Sequence, residues 1–149
     1  MQTFTKQTYI NTSLEELFKF HLDSNNLIKI TPKNIKAELL TKDVSPKEGA
    51  ILKIKTTKNF IPFTWEVKIK KMDYPNMFID VAIKSPFKFW EHSHIFEQED
   101  DKILLKDVVR YELPFGFLGS LLDGFIKKDL EQMFEFRHEV TKKILEGEI

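Results

Sequence analysis

Histidine, aspartate and tyrosine recur at alternate positions in two neighbouring segments, a spacing that puts their side chains on one face of paired β-strands. The alternating residues are Trp90, His92, His94 and Phe96 in the first segment, and Leu105, Asp107, Val109 and Tyr111 in the second. A hairpin turn centred on Asp100–Asp101 sets His94 opposite Asp107, and directly opposed side chains have Cβ atoms about 4.5–5.5 Å apart. The spacing therefore predicts a His–Asp pair, a second histidine and a tyrosine hydroxyl on one face of the sheet.

Three kinds of role fit this group, and the residues alone leave them open. A histidine paired with a carboxylate can act as a general base, so His94 and Asp107 are candidate catalytic residues with Tyr111 as proton donor or oxyanion partner. The same groups could instead orient the polar head of a mostly apolar ligand. In the third interpretation, Asp107 is satisfied by a histidine or by Arg137 in a structural network inside the core.

A metal centre is a weaker interpretation of the same residues. His92 and His94 have a two-ligand spacing on one strand, but zinc needs a third and usually a fourth ligand. Asp107 is the candidate third ligand, whereas His21 and His138 have no clear position relative to the strand. We therefore expect no metal and no cofactor. The absence of cysteine excludes disulfides, thiolate catalysis and cysteine-based metal sites.

Composition and charge exclude several partners. The 149 residues carry 23 basic and 23 acidic side chains, so the net charge is zero and the basic excess that nucleic-acid binding needs is missing. The N-terminal residues do not form the apolar core of a signal peptide, and the chain has no apolar run long enough for a membrane span. We expect a cytoplasmic protein with no nucleic-acid partner and no membrane insertion, and we make no prediction of its oligomeric state.

The order of elements predicts an α+β fold in one domain over residues 1–149. A first strand at 4–10 is followed by a helix that Ser13 and Glu16 open as a capping box. A short second helix over 24–30 comes next, then about six alternating strand segments. Apolar residues three or four apart predict one long helix over 119–146. Runs of strands closed by a helix are typical of α+β rather than α/β proteins.

The motifs of the second half of the chain resemble those of the helix-grip (SRPBCC) superfamily, and most closely those of a bacterial ligand-binding subgroup. The superfamily includes START lipid-transfer domains, the major birch-pollen allergen and polyketide cyclase/dehydrase-like proteins. The matching residues are Trp90, His92, His94 and Phe96, then Asp107, Val109, Tyr111, Pro114, Gly116 and Leu118-Gly119, and finally Phe134 with Arg137. The resemblance implies an antiparallel sheet of about six to seven strands wrapped around a long C-terminal helix. It also implies two short helices after the first strand and an apolar cavity between the sheet and the long helix.

This cavity, taken with the aromatic content of the chain, suggests a binding function. We expect a small hydrophobic ligand (a lipid, an isoprenoid or a polyketide-like ring compound) as partner. The expected wall residues are Phe63, Trp65, Trp90, Phe96, Phe125, Met133 and Phe136. The expected polar contacts are His92, His94, Asp107, Tyr111 and Arg137. One alternative is a cyclase, dehydratase or isomerase that uses the His–Asp pair and Tyr111, and another is a protein-interaction module without a ligand. Binding is favoured over catalysis.

Overall fold

The computed structural model describes residues 1–42 and 44–149, with positions 117 and 120 described by their backbone alone. In chain order the elements are β1 (Gln2–Ile10), α1 (Leu14–Leu22), α2 (Asn25–Lys29), β2 (Ile35–Leu39), β3 (Ile51–Lys58), β4 (Ile61–Asp73), β5 (Met77–Lys84), β6 (Phe89–Glu99), β7 (Lys102–Glu112), α3 (Gly116–Ser120) and α4 (Asp123–Leu145). The capping-box prediction is confirmed on one side, because the Ser13 hydroxyl accepts the Glu16 backbone N–H at 3.2 Å.

The strands form one seven-stranded antiparallel sheet in the order β1-β7-β6-β5-β4-β3-β2. Five of the six pairings join consecutive strands, and the sixth brings β7 back beside β1. The β6–β7 register follows the predicted hairpin, with Glu99 paired to Lys102, His94 to Asp107 and Trp90 to Tyr111. The sheet curls into a half-barrel around α4, so the predicted helix-grip architecture is confirmed.

Two buried apolar clusters hold the helices against this sheet. In the first, α1 packs on the sheet; its fully buried members include Leu17, Phe18, Phe96, Ile103 and Leu105. In the second, α4 packs on β1, β6 and β7; its members are Phe4, Trp90, Val109, Tyr111, Leu130 and Phe134. The polar residues of β6 lie between the clusters, because the His94 ring stacks on Phe78 of the first and the His92 ring meets Phe134 of the second edge-on. The core therefore contains a group of polar side chains between the two apolar clusters.

The predicted single helix over 119–146 is wrong at its N-terminal end. The structure has two helices there, since α3 ends at Ser120 and α4 begins at Asp123. Between them the Leu122 N–H donates to the Gly119 carbonyl, a three-residue turn in place of the four-residue helical repeat. The periodic apolar pattern did not reveal this break, because Leu121 and Leu122 continue the pattern although both are exposed.

Gly119 is a position at which a side chain would not fit. A Cβ built there would lie 2.1 Å from the Pro114 carbonyl oxygen and 3.1 Å from the Leu113 Cβ. We therefore expect Gly119→Ala to lower the free energy of unfolding by about 1–3 kcal/mol, the usual cost of overpacking. Gly124→Ala is the matched control, because nothing lies within 4 Å of its Cβ position and alanine is favoured over glycine inside a helix by about 1 kcal/mol. Urea denaturation of the two variants checks this, and equal stabilities would contradict the close approach.

In the part of the chain that the structure describes, none of the helices combines the length and the apolar character needed to cross a bilayer.

Candidate functional site

A cavity of about 800 Å³ lies between the curled sheet and α4. Its walls are mainly apolar side chains from β2 to β6 and from α4, and a smaller recess of about 60 Å³ adjoins its polar end. The expected ligand contacts that line the cavity are Phe63, Trp65, Trp90, His92, His94, Phe125, Met133 and Arg137. The structure thus brings these side chains around one partly open cavity.

Four of the expected contacts do not line the cavity. Phe96 is fully buried in the first apolar cluster, Asp107 borders only the small recess, and Phe136 lines neither space. Tyr111 is fully buried in the second cluster, and its hydroxyl donates to the Asp123 carboxylate at 3.0 Å. Burial and this carboxylate raise the pKa of Tyr111, and its hydroxyl proton is donated to Asp123 rather than to the cavity.

Asp107 is held by two histidines from different elements. Its Oδ1 lies 2.6 Å from His92 Nε2 on β6, and its Oδ2 lies 2.5 Å from His138 Nε2 on α4. Because a carboxylate only accepts, both histidines donate an Nε2 proton. Burial alone would raise the pKa of Asp107, but the electrostatic interaction with His92 and the hydrogen bonds from His138 and His92 outweigh it and hold that pKa well below its usual range.

The predicted partner of Asp107, His94, is bonded to a different carboxylate. Although His94 stands opposite Asp107 in the register, its Nε2 donates to Asp80 Oδ2 at 2.6 Å, and its Nδ1 lies 3.5 Å from Asp107 Oδ1. An imidazole Nε2 is at the far end of its ring, so the diagonal neighbour His92 reaches Asp107 more readily than the directly opposed His94 does. The sequence interpretation was therefore right about the register and wrong about the hydrogen bond.

Three residues of the polar cluster were not assigned to it from the sequence. Asp80 lies between Ile79 and Val81 on β5, and an acid in an apolar strand was the signal that could have found it. His138 is buried on α4 one turn after Phe134, so the helical period gave a similar signal. His21 follows Leu17 and Phe18 at helical spacing, which gave the same kind of signal, and it lines the cavity because α1 packs beside the sheet.

Hydrogen bonds identify the ring nitrogen that carries a proton in each histidine of the cluster. His94 and His138 each donate from Nε2 to a carboxylate, and the Nδ1 atom of each is buried without a hydrogen-bond partner among the described residues. His21 instead donates from Nδ1, to the Leu17 carbonyl at 3.0 Å. Burial lowers the pKa of His94, and burial together with the electrostatic interaction with His94 lowers the pKa of His21 to about 4.

His92 is the member of the cluster best placed to move a proton. Its Nε2 proton is held by Asp107 at 2.6 Å, and the ring lines both the cavity and the recess. An imidazole oriented by a carboxylate on one nitrogen leaves the other as a base, which is the arrangement of many general-base histidines. His94 cannot do the same, because Phe78 and His92 stack on it with ring centroids at 4.0 and 3.7 Å and its Nδ1 is buried.

Three donors of the cluster lie close enough to approach one cation. Asp80, His92 and His94 each offer a ligand atom within 4.8 Å of the others. However, the two imidazole rings are stacked with an interplanar angle of 28°, so their in-plane lone pairs lie in nearly parallel planes, a poor arrangement for binding one ion between them. Binding would require one ring to rotate and to give up its carboxylate. Asp107, the ligand expected from the sequence, is already bonded to His92 and His138.

An ion pair joins β3 to α4 on the wall of the cavity. Lys58 Nζ and Asp129 Oδ2 lie 3.0 Å apart, and both residues line the cavity. Two further lining residues on these parts of the chain are large, apolar and exposed, Phe63 at 46% and Phe125 at 67%. A partly exposed ion pair of this kind contributes little stability.

Comparison with known proteins shows the fold and leaves the function open. No protein-family model matches the sequence, and no curated protein is significantly similar to it. A START superfamily protein from Mycobacterium smegmatis has a TM-score of 0.68 at 12% identity over 99% of each chain. The di-domain ARO/CYC StfQ of the steffimycin biosynthetic pathway has a TM-score of 0.79 at 11% identity, over 98% of this chain and 51% of StfQ. Ara h 8.0201 has a TM-score of 0.65 at 15% identity, over 93% and 95% of the two chains. The chain thus shares the helix-grip fold of these structures, which is the fold that the resemblance implied.

Proposed function

We propose that this protein binds a small hydrophobic molecule, such as a lipid, an isoprenoid or a polyketide-like ring compound, in the cavity between the sheet and α4. The observation that carries the proposal is the cavity itself, at about 800 Å³ with mainly apolar walls and polar groups at one end. Ligand sites in proteins are typically of about 300–1,000 Å³, with a few polar groups that fix orientation. We propose the cytoplasm as the compartment, on the sequence pattern alone.

The walls can supply the affinity that such a ligand requires. Burial of apolar surface contributes roughly 25 cal/mol per Å², and the aromatic rings of Trp65 and Trp90 lie 5.3 Å apart edge to face on one wall. With Phe63, Phe125 and Met133 they form the proposed apolar contacts. His92, His94 and Arg137 lie at the polar end and would orient the ligand.

Filling the cavity with protein should abolish binding without unfolding the sheet. Ala37 on β2 lines the cavity, so we expect Ala37→Trp to remove the rise in Tm that a bound ligand gives, which corresponds to about 2.7 kcal/mol at a ligand concentration of one hundred times Kd. Lys36→Trp is the matched control, because that side chain is 74% exposed. Differential scanning fluorimetry against fatty acids, isoprenoids and aromatic ring compounds measures the shift.

Native mass spectrometry of protein purified gently from its own host provides the second readout. A bound adduct that is lost on denaturation, and that is absent from Ala37→Trp, is the expected result. The proposal fails if wild-type protein has no adduct and no compound of the panel raises its Tm.

Acid–base catalysis on a bound molecule is the second candidate function, and His92 is the observation that favours it. It differs from the enzyme alternative drawn from the sequence, because His92 takes the place of His94 and Tyr111 lies outside the cavity. Catalysis appears as a change in ligand mass during incubation in the same measurement, or, for an isomerisation, as a new chromatographic peak of the same mass. The interaction-module alternative required a filled core, which the cavity argues against.

A further inference from the structure

Arg137 is a half-buried cation at the polar end of the cavity. Its side chain lines both the cavity and the recess, and its Nε is buried without a hydrogen-bond partner among the described residues. Within the same part of the chain, no carboxylate oxygen lies within 4.0 Å of its guanidinium nitrogens. The Phe134 ring packs against it, with its centroid 5.3 Å from Cζ. Because an arginine has only donors in its side chain, the buried Nε–H needs an acceptor, which a ligand in the cavity can supply.

The two carboxylates nearest to Arg137 are already committed. Asp80 accepts from His94, and Asp107 accepts from both His92 and His138. These carboxylates stabilise the arginine charge only through space and leave its hydrogen-bonding groups free. The other cation on the cavity wall, Lys58, is paired with Asp129 of α4. Arg137 is therefore the side chain at the polar end that can receive an anion.

Resting on the proposed function above, we infer that the ligand is an apolar molecule with one carboxylate, which Arg137 binds through its guanidinium. A guanidinium matches a planar carboxylate with two parallel N–H···O bonds, and such charge-assisted bonds are about twice as strong as neutral ones. The apolar remainder then extends into the larger cavity past Trp65 and Met133.

The fixed negative charges of the site favour one ligand charge over two. Asp80 and Asp107 both lie at the polar end, so an anion bound to Arg137 is repelled by two carboxylates while it is attracted by one guanidinium. A carboxylate adds one negative charge, whereas a phosphate monoester carries about −1.5 to −2 at pH 7. The electrostatics of the site thus select a fatty or aromatic acid over a phosphorylated lipid.

The test compares three ligands that share one alkyl chain: palmitate, hexadecanol and hexadecyl phosphate. Binding is measured by isothermal titration calorimetry at pH 7 on the full chain, at ligand concentrations below micelle formation. For wild-type protein we expect palmitate to bind about ten- to a hundredfold more tightly than hexadecanol, and more tightly than the phosphate. Arg137→Met keeps most of the apolar stem and should bring palmitate and hexadecanol to within about twofold of each other.

Arg110→Met is the matched control, because Arg110 pairs with Glu91 on the sheet and does not line the cavity. It should keep the wild-type preference for palmitate. The stability of Arg137→Met separates a ligand contact from a structural one, since removing an unpaired cation should leave Tm unchanged or raised.

Each contrary outcome has a distinct meaning. Equal binding of palmitate and hexadecanol to wild-type protein overturns the inference and leaves the proposed function standing, as does tighter binding of the phosphate. A lower Tm for Arg137→Met than for Arg110→Met also overturns it, because Arg137 would then be a structural partner. If none of the three ligands binds and the panel of the previous section also fails, the proposed function itself is rejected.

Discussion

We expect Asp107→Ala to lower the free energy of unfolding by about 3–5 kcal/mol, one of the two largest effects that the structure predicts. The variant leaves the Nε2 protons of His92 and His138 without an acceptor, and both rings are buried, at 5% and 2% exposed. A buried donor that loses its partner costs about 1–3 kcal/mol, and here two donors lose the same partner. Urea denaturation at pH 7 measures the change.

Asp129→Ala is the control for this prediction. Asp129 also pairs with a base, Lys58, but both side chains are about one-third exposed, and surface ion pairs of this kind contribute about 0–1 kcal/mol. The two substitutions remove the same atoms, so their difference isolates burial and the number of partners. A cost at Asp107 no greater than that at Asp129 would show that β6 and α4 are not joined through this carboxylate.

The second large effect is a loss of stability in mild acid, caused by His21. In the unfolded chain this histidine takes up a proton near its ordinary pKa of 6.5, whereas in the folded protein burial lowers the pKa to about 4. The unfolded state therefore binds more protons between these values, and stability is complete above pH 6.5 and is lost as the pH falls towards 4. The shift corresponds to about 3 kcal/mol.

His21→Phe tests the assignment. Phenylalanine keeps a ring against Phe96, which lies 5.2 Å away between centroids, and it has no proton to take up. Urea denaturation at intervals from pH 7.5 to pH 4 should show a shallower decline for the variant, with a residual slope because burial also lowers the pKa of His94. An unchanged slope would mean that water reaches the His21 ring in the folded protein.

Below this range the two aspartates add to the acid sensitivity. Burial tends to raise the pKa of Asp80 and of Asp107, but the hydrogen bond from His94 and the contacts from His92 and His138 hold both below their usual value. A carboxylate with a lowered folded-state pKa contributes stability above its unfolded pKa and loses it as the pH falls through the folded value. The histidines and the aspartates thus weaken the polar core in successive steps.

The same cluster gives the cavity an apolar and a polar end. Wall residues such as Ile54, Val67 and Met133 have no hydrogen-bonding side-chain group, whereas His21, His92, His94 and Arg137 gather where the recess begins. A ligand with one polar end would have a single favoured orientation in such a space. Both the proposed carboxylate contact, Arg137, and the candidate base, His92, therefore lie at the polar end of the cavity.

The sequence by itself determined the order of elements and the pairing of β6 with β7. Alternation of apolar and polar residues is local, and so is the two-residue turn at Asp100–Asp101, which places Glu99 opposite Lys102. Together they set every later pair in the hairpin, because a slip of one residue would turn all its side chains to the other face. The motifs that include Trp90 and Arg137 indicated the helix-grip fold, because they resemble those of helix-grip proteins.

Only the tertiary structure decided which groups meet. Asp80 comes from β5 and His138 from α4, so their bonds to His94 and Asp107 depend on the curl of the sheet and the position of the long helix. The same packing turns the Tyr111 hydroxyl to Asp123 and away from the cavity. Side-chain partners across such distances depend on the direction of each Cα–Cβ bond and on the space left by neighbouring side chains, which no local pattern in the chain encodes.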